Sequence, residues 1–182
     1  MSTKDVDGDG LAEVLVGAYN ANDNAGGTRF IAGGIIGDRS EFPDDAVVWA
    51  GEFSEDRAGY VQEFIGDWNG DGVEDVAIGA PYHNNYTGTV YIVSSDMPSG
   101  SLSDSMHTYR MDLELSYFGQ TLIPLGDLNE DGFSDLLIGA RGDDRQGTNQ
   151  GAITIAYGND YTELPQIANT IYGETSYDVL GM

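Results

Sequence analysis

Apolar positions in this chain of 182 residues come in short runs bounded by glycine, asparagine and aspartate. Three runs stand out: Val14-Leu15-Val16, Val76-Ala77-Ile78 and Leu136-Leu137-Ile138. Each is entered from an acidic, glycine-bent loop and closes on a Gly-Ala pair. Runs this short, between turn-forming residues, predict short strands. A second kind of segment alternates: Gly27-Thr28-Arg29-Phe30-Ile31-Ala32, Gly88-Thr89-Val90-Tyr91-Ile92-Val93 and Gly151-Ala152-Ile153-Thr154-Ile155-Ala156. A third strand-like set follows a polar loop, at Ala46–Ala50, Met106–Met111 and Ala168–Tyr172. No long stretch places apolar residues at helical spacing, so the expected class is all-β.

The segments repeat. The Gly-Ala pairs begin at residues 17, 79 and 139, a period of 62 and then 60. A second marker, Ala58-Gly59, Phe118-Gly119 and Leu180-Gly181, is spaced by 60 and then 62. In the central copy the order is strand A at about 60–66, B at 75–80, C at 88–94 and D at 106–112, with the acidic loop joining A to B. Four strands per repeat of this length describe the blade of a β-propeller, an array that leaves only short edges exposed. The whole chain, 1–182, is expected to be one domain in blade pieces of about 1–57, 58–116 and 117–176, with 177–182 beginning a further strand A. Copy one is expected to lack its strand A, because Met1-Ser2-Thr3-Lys4 stands directly before its loop.

The acidic loops carry the candidate chemistry. Carboxylates and amides at positions 1, 3 and 5 turn inward when glycine at position 6 permits a sharp bend, position 7 offers a carbonyl, and position 9 closes the sphere. In copy one these are Asp5, Asp7, Asp9, the Leu11 carbonyl and Glu13. In copy two they are Asp67, Asn69, Asp71, the Val73 carbonyl and Asp75. In copy three they are Asp127, Asn129, Asp131, the Phe133 carbonyl and Asp135. An all-oxygen set without histidine or cysteine selects calcium over zinc or copper, with up to three ions expected. The loops are not EF-hands, since position 12 is Val16, Ile78 and Ile138 where an EF-hand needs a bidentate glutamate. Loop one is expected to be the weakest, because Glu13 is one methylene longer than aspartate and lies near the start of the chain.

Charge removes other classes. The net charge is -24 with only 7 Lys and Arg, which leaves no basic surface for nucleic acid. The three loops hold 12 of the 31 acids. There is no cysteine, hence no disulfide framework and no thiol chemistry. No run of 18 apolar residues predicts membrane insertion. No Ser-His-Asp arrangement or phosphate-cradling loop is present, and carboxylate pairs such as Asp44-Asp45 and Asp143-Asp144 read as solvated turns, so an enzyme is not expected. His83 and His107 read as surface residues, and Arg141-Gly142-Asp143 as a chance tripeptide. Tyr82, Tyr86, Tyr91 and Tyr117, with Trp49 and Trp68, read mainly as blade packing.

Phe118-Gly119, followed by a calcium-type loop and by Gly139-Ala140, or Gly79-Ala80-Pro81, resembles the FG-GAP repeat of integrin alpha-subunit β-propellers. The resemblance covers nearly the whole chain, although Phe is replaced in the other two copies of the first marker and Pro survives only at Pro81. It implies structural calcium at the bottom, in the A-B loops, and a protein or glycan ligand on the opposite face. That top face would be built by the B-C loops (81–87, 141–150) and the D-A loops (52–58, 113–117). It also implies a non-enzymatic module for recognition or adhesion, extracellular or at a cell surface, with its signal segment absent from this chain. The alternative is a non-catalytic accessory module of a larger secreted polysaccharide- or lipid-degrading enzyme. Three blades leave open sheet faces, so either further blades or self-association into a homo-oligomer is expected to complete the propeller.

Overall fold

The computed structural model describes residues 2–34, 46–160 and 167–182. Its strands form three antiparallel sheets. The first holds β1 (Ser2–Lys4), β2 (Glu13–Gly17), β3 (Gly27–Ile31) and β4 (Val47–Ala50) in sequence order. The second holds β5 (Val61–Gly66), β6 (Asp75–Ala80), β7 (Thr89–Ser94) and, beyond a two-residue strand β8 (Gly100–Ser101), β9 (His107–Arg110). β8 leaves its own blade and runs parallel to β4 at the edge of the first sheet. The third holds β10 (Thr121–Gly126), β11 (Asp135–Ala140), β12 (Ala152–Ala156) and β13 (Ile167–Tyr172). These are three consecutive up-and-down blades, as the repeat predicts.

Two expectations change. Copy one does have a strand A, because Ser2, Thr3 and Lys4 pair with Leu15, Val14 and Glu13. Three residues are too few for a pattern, but each finds a ladder partner on β2. The register of strand C in copy one also moves by one residue. Gly26, not Gly27, makes the isolated parallel bridge that Gly88 and Gly151 make, to Ala58, Phe118 and Leu180 respectively. The doubled glycine Gly26-Gly27 hid the true counterpart.

The two markers repeat in step because they meet in space. The Gly59 amide donates to the Gly79 carbonyl at 3.1 Å, and the Gly119 amide to the Gly139 carbonyl at 3.0 Å. A Cβ on Gly17, Gly79 or Gly139 would overlap the carbonyl oxygen of Gly59, Gly119 or Gly181 in turn. Each Gly-Ala pair therefore lies against the next marker glycine, and a side chain would push the blades apart.

The core sits between blades. Leu15 and Trp49 of blade one pack with Phe64, Val76, Ile78, Tyr91 and Val93 of blade two. On its other face, blade two offers Ile65, Trp68, Ala77, Val90, Ile92 and Tyr109 to Phe118, Leu122, Leu136 and Ile138 of blade three. Covered on both faces, β6 and β7 are buried at every position, which is why their sequences do not alternate. On the face of blade three opposite Leu122, Ile123 and Ile171 are about half exposed, at 46% and 51%. Among the described residues no helix is long and apolar enough to cross a membrane.

Candidate metal centre

Twelve of the fifteen residues of the expected ligand sets lie in the three loops that join β1 to β2, β5 to β6 and β10 to β11, and the closing acids Glu13, Asp75 and Asp135 are the first residues of β2, β6 and β11. The loops share one backbone course. Position 4 is left-handed in each, with φ of 78° at Gly8, 77° at Gly70 and 63° at Glu130. Position 6 is left-handed at Gly10, Gly72 and Gly132, with φ of 87°, 86° and 96°. Glycine relieves this conformation at position 6, whereas Glu130 adopts it against its side chain's preference.

The polar side chains turn inward and cap this backbone through a set of bonds common to all three loops. The position-6 amide donates to the first aspartate: Gly10 to Asp5 at 3.0 Å, Gly72 to Asp67 at 2.9 Å and Gly132 to Asp127 at 2.9 Å. The position-5 amide donates to the side chain at position 3: Asp9 to Asp7, Asp71 to Asn69 and Asp131 to Asn129. The position-7 amides of Leu11, Val73 and Phe133 donate to Asp9, Asp71 and Asp131. The closing acid reaches back across the loop in every copy. Val6 donates to Glu13 at 2.7 Å, Trp68 to Asp75 at 2.8 Å and Leu128 to Asp135 at 2.7 Å. Each such bond uses one lone pair, so the oxygens retain capacity for a cation.

The closing acids are all buried, while the acids at positions 1 and 5 are exposed except for Asp67, which is half-buried. Their second oxygens differ. That of Glu13 accepts from Gly33 at 3.0 Å, and that of Asp135 from Gly158 at 3.1 Å. Sequence reasoning missed these two glycines, whose only signal is a place two residues beyond strand C. In blade two the counterpart, Ser95, donates instead to the Glu74 carbonyl. The second oxygen of Asp75 is buried with no hydrogen-bond partner. Burial chiefly, then the charges of Asp71 and Asp67, push the Asp75 carboxyl up to about 7, against the opposing Trp68 amide. Burial also raises Asp135. A fully buried carboxylate with an orphaned oxygen beside two more acids is costly unless a cation joins it. The donor set therefore fits a hard divalent ion.

Loop one brings three acids closest. One oxygen each from Asp5, Asp7 and Glu13 lie within 4.8 Å of one another. The extra methylene of Glu13 is accommodated, and Asp7 supplies a charge where loops two and three carry the neutral amides of Asn69 and Asn129.

Features outside the loops read differently from expectation in places. His83 is not a surface residue: it is buried, with Nδ1 2.8 Å from the Asp56 carboxylate across the boundary of blades one and two. His107 packs on Tyr109 with ring centroids 4.4 Å apart, and burial lowers its pKa. Asp143 of the Arg-Gly-Asp tripeptide is buried and clamped by Arg145, while Arg141 lies over the Tyr117 ring at 4.3 Å. The tripeptide is therefore built into the fold rather than displayed. Asp44-Asp45 lies outside the described residues. Trp49, Trp68 and Tyr91 are core residues, as expected. Tyr82, Tyr86 and Tyr117 instead join Tyr19 and Tyr60 in a surface cluster, with neighbouring ring centroids 5.4 to 5.9 Å apart. It is built by the B-C and D-A loops, at the ends of the blades away from the acidic loops.

A family model described as the FG-GAP repeat matches residues 1–30, 65–93 and 118–155, just over half of the chain. Human integrin alpha-D is 35% identical over 144 residues, covering 76% of this chain and 12% of that protein. Integrin alpha-PS2 of Drosophila melanogaster is 31% identical over 160 residues, covering 80% and 11%. Mouse integrin alpha-M is 43% identical over 91 residues, covering 47% and 8%. The chain thus spans roughly a tenth of the length of the curated relatives it matches.

Proposed function

The chain belongs to the FG-GAP repeat family, and from that premise we propose that it is a calcium-stabilised β-propeller module for extracellular recognition or adhesion. Calcium occupies the three A-B loops and its role is structural. The observation that carries this reading is Asp75, a buried carboxylate with one oxygen held by the Trp68 amide and a second oxygen that has no partner. A divalent ion there offsets the repulsion among Asp67, Asp71 and Asp75 and fixes the hairpin that joins two strands of a blade.

Recognition belongs to the opposite face. The five clustered tyrosines supply large, rigid contact surface with a polar tip, suited to a protein or glycan ligand. The named relatives are integrin alpha subunits, which favours a recognition module over an accessory module of a degradative enzyme. The experiment is a melting curve in excess calcium and in excess chelator. The reading expects a rise of several degrees with calcium. An unchanged curve contradicts it.

A further inference from the structure

Loops two and three touch across the boundary between their blades. The Ser134 amide of loop three donates to the carbonyl of Asp67, the first acid of loop two, at 2.9 Å. The Phe133 ring covers Gly70, where an added Cβ would lie 2.6 Å from the ring. A second route joins the two closing acids. Asp135 accepts from the Gly158 amide at 3.1 Å. The next amide, Asn159, donates to the Trp68 carbonyl at 3.1 Å. The Trp68 amide then donates to Asp75 at 2.8 Å. Three hydrogen bonds, each donated by a backbone amide, therefore link the carboxylate that closes one loop to the carboxylate that closes the other.

We propose that loops two and three fill with cations as a coupled pair, with Gly158 and Asn159 as positioning residues between them. This rests on the cation reading above and adds the coupling to it. An ion that fixes Asp135 also fixes the Gly158 amide bonded to it, and with it the adjoining Asn159. That in turn holds the Trp68 peptide in the place where its amide orients Asp75. Part of the ordering that loop two needs is then complete before its own ion arrives, which is positive coupling between sites. Gly158 must be glycine for the linkage to form, because a Cβ there would press on the carbonyls of Ser134 and Trp68. Loops one and two lack the equivalent route. Ser95, the counterpart of Gly158, donates to the Glu74 carbonyl and not to Asp75, and the boundary is instead bridged by the side chains of Lys4 and Glu74 at 2.6 Å.

Terbium ion, a calcium surrogate, tests this, because Trp68 lies within loop two and sensitises the emission of an ion bound there. Emission lost in Asp71→Asn is assigned to loop two. In Asp131→Asn, which removes a loop-three ligand but keeps an oxygen for the Phe133 amide, the loop-two midpoint is expected to rise about tenfold, as when an outer-shell partner is removed. Asn159→Pro, which deletes the linking amide, is expected to raise it similarly, and adding Asp131→Asn to it should cause no further rise. Gly158→Ala gives a second way to break the link should the proline variant fail to fold. A loop-two midpoint that stays within about twofold of the parent chain in Asp131→Asn, while calorimetry counts one ion fewer, overturns the coupling. A parent chain with no Asp71-dependent emission overturns the cation reading and the coupling with it.

Discussion

Replacing Asp75 by asparagine should change stability in opposite directions with and without calcium. Asp75 is fully buried, one oxygen holds the Trp68 amide and the other has no partner. Its carboxyl is raised from 3.8 to about 7 in the folded protein. A raised folded pKa means that the folded chain holds this proton more tightly than the unfolded chain. The stability that Asp75 contributes is then complete below about pH 4 and is lost as pH rises through about 7. At pH 8, without metal, the ionised side chain costs about 4 kcal/mol, from roughly 1.4 kcal/mol per pKa unit. Asparagine removes that charge and keeps an oxygen for Trp68, but leaves its own amide hydrogens needing a partner, which offsets about 1 to 2 kcal/mol. A net gain of about 2 to 3 kcal/mol should raise the metal-free melting temperature by roughly 5 to 10 °C. In saturating calcium the order reverses, because the variant has lost the closing ligand of loop two. Thermal denaturation followed by circular dichroism, in chelator and in calcium at pH 8, measures both arms. A variant less stable than the parent in chelator, or one that gains as much from calcium as the parent, would refute the reasoning.

Two further predictions concern the scaffold. Gly79→Ala places a Cβ against the Gly119 carbonyl at the boundary of blades two and three, and should cost about 1 to 3 kcal/mol in a urea titration by overpacking. A loss under about 0.5 kcal/mol would show that the blades yield there. Asp143→Ala removes the buried carboxylate that accepts from the backbone amide and guanidinium of Arg145 and should destabilise by about 1 to 3 kcal/mol. It should not alter binding to receptors that read an exposed Arg-Gly-Asp tripeptide; a change in such binding would contradict the built-in role assigned to it.

Much of this architecture was legible because the repeats speak three times. One acidic loop is ordinary turn chemistry, but Asp67, Asn69, Asp71 and Asp75 recur in register with Asp127, Asn129, Asp131 and Asp135. The structure gives them the same backbone course and bonds. The strands were equally plain in blade two, where both faces are covered and the apolar runs are unbroken. What stayed hidden depended on contacts distant in sequence. The pairing of Ser2–Lys4 with β2 is too short to leave a pattern. His83 is buried against Phe53 and Asp56 of the previous blade, contacts that only the fold brings to it. Gly158 and Gly33 donate their amides to acids about 20 residues away in sequence and are crowded by residues that only the fold brings near, so no local pattern announced their role. The tyrosine cluster draws one ring from blade one's B-C loop, two from blade two's B-C loop and two from D-A loops, and only the fold brings these together.

Calcium in the A-B loops is what the proposed function stands on. Isothermal titration of the chelator-stripped chain with calcium tests it most directly, read alongside Asp9→Asn, Asp71→Asn and Asp131→Asn. Three ions are expected for the parent chain, and the loss of one site from each single variant. No heat of binding in the parent, or a stoichiometry that none of the three substitutions lowers, would contradict it.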